Sequence, residues 1–543
     1  MMLWAEPLFG PERRLAYRMT INGRHFADQW TVPAGEVAPG VFAFDLYLEL
    51  DPSVVGTGGS VRRGRARLEC AAAFEPVRYV SELLGARLEV RFDRDQIHVQ
   101  LSDGSTIDVP RAGARYVAEA NYIGLDALML AHARATEQLG PTCELRMFLL
   151  NAAATMPYRL EALDRDAGAG ARWYRSTMDE EVLVDAVGLG AVLHVTTGVR
   201  VERAVPPTPL PAWEIPPIGE PAHYVVPSDA RFRLEDVRIP GPMVEIGATV
   251  TVPDGPPPYP AVVFIGGSGV HDRHGISGEL DGGAHEIVDR LSQHGLLGVR
   301  FDSRGAGATR LGADALAGGL ESIIDDARAV VAWTLARNDV DRDRLVLVGH
   351  SQGGTVAMAL VARHGVRAAA LVLLATLGRS IEAVSRDQVL EGGRLFGFDP
   401  AQLELQLERQ RELFALIRAG VPWTEAHVPA VHLAAAPIVP WLREYAHHDP
   451  QELAAQIRCP TLILYGSADF QVNPEADGQP LAAAVRAAGA DVSMETLSDL
   501  DHLFKPAVAG NSTLTSYYAK DRRVDPGFLR TLTDWIVARL TGR

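Results

Sequence analysis

From Val205 onward the chain runs Val205-Pro206-Pro207-Thr208-Pro209-Leu210-Pro211, followed by Pro216, Pro217 and Pro221. Proline fixes φ and offers no amide hydrogen, so neither a helix interior nor a central strand accommodates this density. Residues 206–226 therefore read as a semi-rigid linker. On its amino side, 1–205 carries β-rich or alternating segments at Val41–Leu50, Ala86–Phe92, Ile97–Leu101, Glu144–Leu150 and Val192–Val201, spaced by Gly, Asp and Asn turns. That pattern predicts a mainly β domain, a barrel or strongly curved sheet, with one helix near Leu125–Gln138. On its carboxyl side, 227–543 alternates short β-branched runs with Ala-rich helical periods, which predicts an α/β domain with a parallel sheet.

In the second domain the expected strands are Ala261–Ile265, Leu297–Phe301, Leu345–Val348, Ala370–Leu374, Thr461–Tyr465 and Asp491–Leu497. Helices are expected near Gly283–His294, Ser322–Arg337, Gly354–His364, Leu481–Ala488 and Phe528–Leu540. The rhythm breaks over 378–457. There Leu403, Leu407, Phe414 and Ile417 keep helical spacing among Glu, Gln and Arg, so this insertion is expected to be a helical lid over the sheet.

Composition narrows the function classes. At roughly 150 residues per domain, 543 residues make two to four compact units. The 52 Lys and Arg against 68 Asp and Glu give a net charge of −16, the wrong sign for a nucleic-acid surface. Apolar residues at 47% and charged residues at 22% exclude wholesale disorder. Three scattered cysteines, Cys70, Cys143 and Cys459, form neither a disulfide framework nor a CxxC metal knot. The start of the chain, with Glu6, Pro7, Pro11 and Glu12, does not read as an export signal, and no apolar run reaches membrane-spanning length. The expectation is a cytoplasmic protein with no nucleic-acid or membrane partner.

The chemistry concentrates at Gly349-His350-Ser351-Gln352-Gly353, a GxSxG pentapeptide between an expected strand and an expected helix. A turn this tight requires glycine two residues before and two after the serine, and it lifts the hydroxyl clear of the sheet. No other serine in the chain meets the pattern. A serine hydroxyl needs a base, and the base needs a carboxylate to set its tautomer. Asp469, after the strand Thr461–Tyr465, and His502, after Asp491–Leu497, follow Ser351 in the required order. Asp499 and Asp501 share the loop of His502 and are placed poorly to reach the far side of its ring. His350 abuts the serine but points away from it, which assigns it to packing beneath the turn. His447-His448 lacks a spaced third ligand, so no metal site is assigned, and no cofactor.

A developing oxyanion needs preorganised donors. The N–H of Gln352, at a helix start, supplies one. The loop Gly266-Gly267-Ser268-Gly269 supplies the other, from the N–H of Ser268 with Gly267 as second choice; GxxxxGK[ST] is absent, and the loop does not complete GxGxxG. The turn Asp302-Ser303-Arg304-Gly305 is expected to be structural, with an internal Asp302–Arg304 ion pair.

Over about Arg231–Arg543 these motifs, with Asp272-Arg273 and Asp501-His502-Leu503-Phe504, resemble the α/β-hydrolase superfamily, in particular bacterial serine esterases and acyl hydrolases of its dienelactone-hydrolase-like and serine-aminopeptidase-like branches. The His-Gly dipeptide of many relatives is here Gly266-Gly267. The resemblance implies an eight-stranded, mostly parallel sheet, a helical cap after the sixth strand, and hydrolysis through an acyl-enzyme. The resulting expectation is a cofactor-free serine hydrolase of a small-molecule carboxylic ester or thioester, with Ser351, His502 and Asp469 as its triad. Peptidase or acyltransferase use of the same triad, and a non-catalytic binding protein on this fold, are the rival readings. For 1–205, capping of the site, self-association into a homo-oligomer and partner binding stay open.

Overall fold

The computed structural model describes residues 2, 5–9, 14–51, 62–83, 86–100, 106–119, 122–150, 153–205, 222–309, 318–507, 516–517, 519 and 521–541. Residues 206–221 of the expected linker lie outside the described residues. The chain forms two compact units: Met1–Glu220 with Val389–Val439, and Pro221–Gln388 with Pro440–Arg543.

In the first unit fifteen strands make one sheet in which sequence neighbours pair. Its first and last strands, Leu15–Ile21 and Val199–Ala204, meet antiparallel in the middle, with Met19 opposite Val201. Edge strand Tyr116–Ala118 runs parallel to Thr142–Leu149. A parallel pair needs a crossover, and the helix Ile123–Ala135 provides it. From Ile123 to Ala133 that helix is buried except at Asp126, as expected of a helix apolar on all sides. It joins Tyr17, Phe44, Leu46 and Tyr79 in one core.

The expected lid, 378–457, is divided between the two units. Its middle packs with the β-rich unit because its apolar side chains are matched there: Val428 and Leu433 are buried in that core, with Leu416 and Trp423 against it. The helix Pro400–Ala419 starts at Asp399, whose side chain and that of Gln402 close a reciprocal cap. Arg409 on this helix grips Asp179, in the turn before the strand Glu180–Val184, through two hydrogen bonds, 2.7 and 2.8 Å.

The second unit contains an eight-stranded sheet: β1 (Phe232–Pro240), β2 (Glu245–Pro253), β3 (Tyr259–Ile265), β4 (Leu297–Phe301), β5 (Val340–His350), β6 (Ala370–Leu374), β7 (Thr461–Gly466) and β8 (Val492–Leu497), in the order β1-β2-β4-β3-β5-β6-β7-β8. From β4 to β8 neighbouring strands are parallel, while β1–β2 and β2–β4 are antiparallel. β1 and β2 precede the first strand expected from sequence. Helices α1 (Ala284–Ser292), α2 (Leu320–Ala336), α3 (Gln352–Ala362), α4 (Gln479–Ala487) and α5 (Pro526–Thr541) contribute to the same core as the sheet. Strands buried on both faces read as unbroken apolar runs, and every residue of β6 is fully buried. From β3 the chain steps to β4 on one side, and β5 lies on the other. The carboxyl ends of β3 and β5 thus flank the point where the connections diverge, the place where open α/β sheets bind ligands. No helix among the described residues is long and apolar enough to cross a membrane.

Candidate active site

Ser351 sits between β5 and α3 with φ 54° and ψ −121°. A non-glycine residue in such a backbone conformation costs on the order of 1–3 kcal/mol and persists only where its surroundings enforce it. Here the Ser351 N–H donates to the Leu374 carbonyl at 2.7 Å, and the Ser351 carbonyl accepts from the Gly354 N–H at 2.9 Å. The spacing of glycines in the motif has a steric cause. A Cβ on Gly353 would run into the carbonyl oxygens of Ile265 and Gly266. The elbow and the end of β3 are therefore in direct backbone contact.

His502 and Asp469 reach this point from the ends of β8 and β7. His502 Nδ1 donates to Asp469 Oδ2 at 2.7 Å, and the Asp469 side chain is fully buried. Its other oxygen, Oδ1, accepts from the N–H groups of Gln471 (2.8 Å) and Val472 (3.0 Å). The carboxylate is therefore held at both oxygens. Because Nδ1 carries the hydrogen toward Asp469, Nε2 of the neutral ring is the free acceptor.

Ser351 and His502 line one cavity of about 280 Å³ together with Gly267 and Ser268. A Cβ on Gly267 would lie 3.3 Å from Ser351 Cβ, so this loop passes close beside the serine. Gln352 begins α3, where N–H groups lack a carbonyl four residues back, and its side chain accepts from Trp441 Nε1 at 3.2 Å. Phe264, Val270, Leu280, Ile287 and Leu503 make the apolar walls, and among the described lining residues there is no Asp, Glu, Lys or Arg. Sequence reading missed polar residues of the wall, among them Ser277, Gln471 and Tyr517; the last two are joined by a 3.0 Å hydrogen bond from Gln471 Nε2. Gln471 could have been found from its place in the Asp469 turn; no motif marks Tyr517.

The expected Asp302–Arg304 ion pair does not form. Asp302 receives Arg273 instead (Nη2 to Oδ2, 2.6 Å), and Arg304 pairs with Asp326 on α2 (Nε to Oδ2, 2.6 Å). Both acids are buried and each takes a guanidinium from another segment, so one turn ties three pieces of chain. Asp501, weighed against Asp469 as the partner of His502, is fully buried and accepts from Arg522 Nη2 at 2.5 Å. His448 bonds Glu321 at 2.9 Å and serves packing. Asp281, His285 and Glu286 bring potential metal-ligating atoms within 4.8 Å of one another, but Asp281 already pairs with His285 at 3.1 Å, and the Lys505 ammonium stands on the Asp281 carbonyl at 2.6 Å.

Burial holds several histidines neutral, among them His350 with its pKa lowered to about 3, His274 lowered to about 3 also by the charge of Arg300, and His132 lowered to about 4 also by that of Arg115. In the unfolded chain each takes a proton near pH 6.5. Between about 6.5 and these lowered values the unfolded state binds more protons, so stability falls as pH falls. Urea midpoints measured from pH 7.5 down to pH 5 are expected to decrease, and a flat profile would contradict the burial of these rings.

The order of the sheet, the elbow at its centre and the carboxylate–imidazole pair at the ends of its last two strands define the class, an α/β-hydrolase fold. Residues 270–398 match the family described as Serine aminopeptidase, S33, whose members share this fold. Esterase EstD of Thermotoga maritima is 26% identical over 318 residues, 58% of this chain and 69% of that protein. Among solved structures, the Pyrococcus furiosus esterase Pf2001 shares 15% identity at a TM-score of 0.37, covering 60% of this chain and 95% of that one. An esterase from Pyrobaculum calidifontis shares 20% at a TM-score of 0.36, covering 57% and 86%.

Proposed function

We propose that this protein is a serine-dependent carboxylic ester hydrolase working through an acyl-enzyme. The observation that carries this reading is the Asp469–His502 hydrogen bond behind a histidine that shares one cavity with the strained Ser351. In the first step His502 Nε2 takes the proton of Ser351 as its Oγ attacks the ester carbonyl, and the new C–O bond leaves negative charge on the carbonyl oxygen. The N–H groups of Gln352 and Ser268, with Gly267 beside them, receive that charge. Asp469 stabilises the imidazolium. Collapse expels the alcohol, which takes the proton from His502 Nε2. A water activated by the same nitrogen then releases the acid and restores Ser351. The similarity to esterase EstD supports an ester as substrate. A peptidase acting on free amino termini needs a carboxylate to receive the ammonium group, and the described cavity lining has none.

The test is covalent labelling. A fluorophosphonate should modify intact protein at Ser351, located by peptide mapping, and p-nitrophenyl butyrate should be hydrolysed with a burst of nitrophenol. Absence of both label and turnover would overturn the assignment.

A further inference from the structure

His350 precedes the nucleophile and takes no proton in the scheme above, yet it reaches across the site. Its Nε2 donates to the main-chain carbonyl of His502 at 2.8 Å. The two rings stand 4.9 Å apart, tilted by 54°, and the His350 ring meets Phe504 edge-on at 6.4 Å. His350 is partly buried, and it too lines the cavity. Its neighbour in sequence is Ser351; its hydrogen-bond partner is the residue that bears the base. One side chain thus links the backbone of the nucleophile to the backbone of the base.

Besides His502–Asp469 and the Lys505 ammonium on the Asp281 carbonyl, further bonds of the His502 loop hold it to different parts of the fold. Asp501 accepts from the N–H groups of Leu503 (3.0 Å) and Lys505 (3.2 Å) and from Arg522. The Leu500 carbonyl accepts from the Ala468 N–H at 2.9 Å, and the Asp499 carbonyl from the Ala507 N–H at 2.8 Å. These bonds shape the loop and tie it to the end of β7. They do not set its distance from the elbow on β5, two strands away.

We infer that His350 is a positioning residue that fixes the reach between Ser351 and His502 by holding the His502 carbonyl. The inference rests on the proposed serine mechanism. A misplacement of about 1 Å between reacting groups can cost roughly 100-fold in rate, so a single well-placed bond has this leverage. The side chain is also suited to its neighbour in charge. His502 becomes an imidazolium during each proton transfer, and a neutral ring 4.9 Å away does not oppose it.

Two substitutions separate positioning from bulk. His350→Leu retains an apolar side chain of comparable reach but has no donor; His350→Gln presents an amide N–H. The rate constant for fluorophosphonate labelling of Ser351, and kcat for p-nitrophenyl butyrate, are expected to fall about 30- to 100-fold in His350→Leu, with KM changed less than about threefold. In His350→Gln both rates should recover to within about fivefold of the parent. Parent-like labelling in His350→Leu overturns the inference and leaves the serine mechanism standing, as does equal slowing in the two variants. A parent protein that neither labels nor turns over overturns the serine mechanism and this inference with it.

Discussion

Asp469→Asn is expected to reduce kcat for ester hydrolysis by about 10⁴-fold with the fold intact. In the parent, Oδ1 accepts two main-chain N–H bonds from Gln471 and Val472. An asparagine keeps those bonds only by leaving its carbonyl oxygen in that place, which turns its NH₂ toward His502 Nδ1. That nitrogen must then become the acceptor, so the hydrogen moves to Nε2 and Ser351 loses its base. Steady-state kinetics on p-nitrophenyl butyrate, with a thermal melt to establish folding, measure the effect. A kcat within tenfold of the parent would remove Asp469 from the mechanism.

Gly353→Ala should be strongly damaging to the catalytic unit. Its Cβ would fall onto two backbone carbonyls, those of Ile265 and Gly266, and neither can rotate aside as a side chain would. Overpacking of this kind costs up to about 3 kcal/mol, which in a unit of this size lowers Tm by roughly 5–10 °C. Because the displaced segment leads into the Gly267–Ser268 loop, labelling at Ser351 should fall more than 100-fold as well. Gly392→Ala is the matched control. It lies within the helix Ile381–Phe396 with nothing inside 4 Å of the added atom, and it should stabilise by about 0.5–1 kcal/mol. Equal melts for the two variants would contradict the close approach of the elbow to β3.

Much of the catalytic fold was legible because burial on both faces writes a strand as a plain apolar run: Leu297–Phe301 and Ala370–Leu374 have the same limits in sequence and structure. β1 was harder to read. Its one-sided burial interleaves Arg233, Glu235, Asp236 and Arg238 among the apolar positions. Chemistry that depends on local backbone is equally readable, as in the glycines around Ser351. Contacts set by the fold are not. The partners of Asp302 and Arg304 come from 29 and 22 residues away, and nothing in a four-residue turn announces them. The bond from His350 spans 152 residues. For the insertion, spacing identified a helix but carried no information about which surface its apolar side would find. Packing answers that through Val428 and Leu433, which complete the core of the β-rich unit.

This last feature bears on the order in which the molecule is made. The middle of the β-rich sheet closes only when Val199–Ala204 arrives beside Leu15–Ile21, a pairing across about 180 residues and therefore slow to nucleate. Even then Val428 and Leu433 are missing from its interior until the ribosome has passed most of the parallel strands of the other unit. The first unit to emerge is completed late, and in the interval it presents an unfilled apolar surface of the kind that chaperones bind.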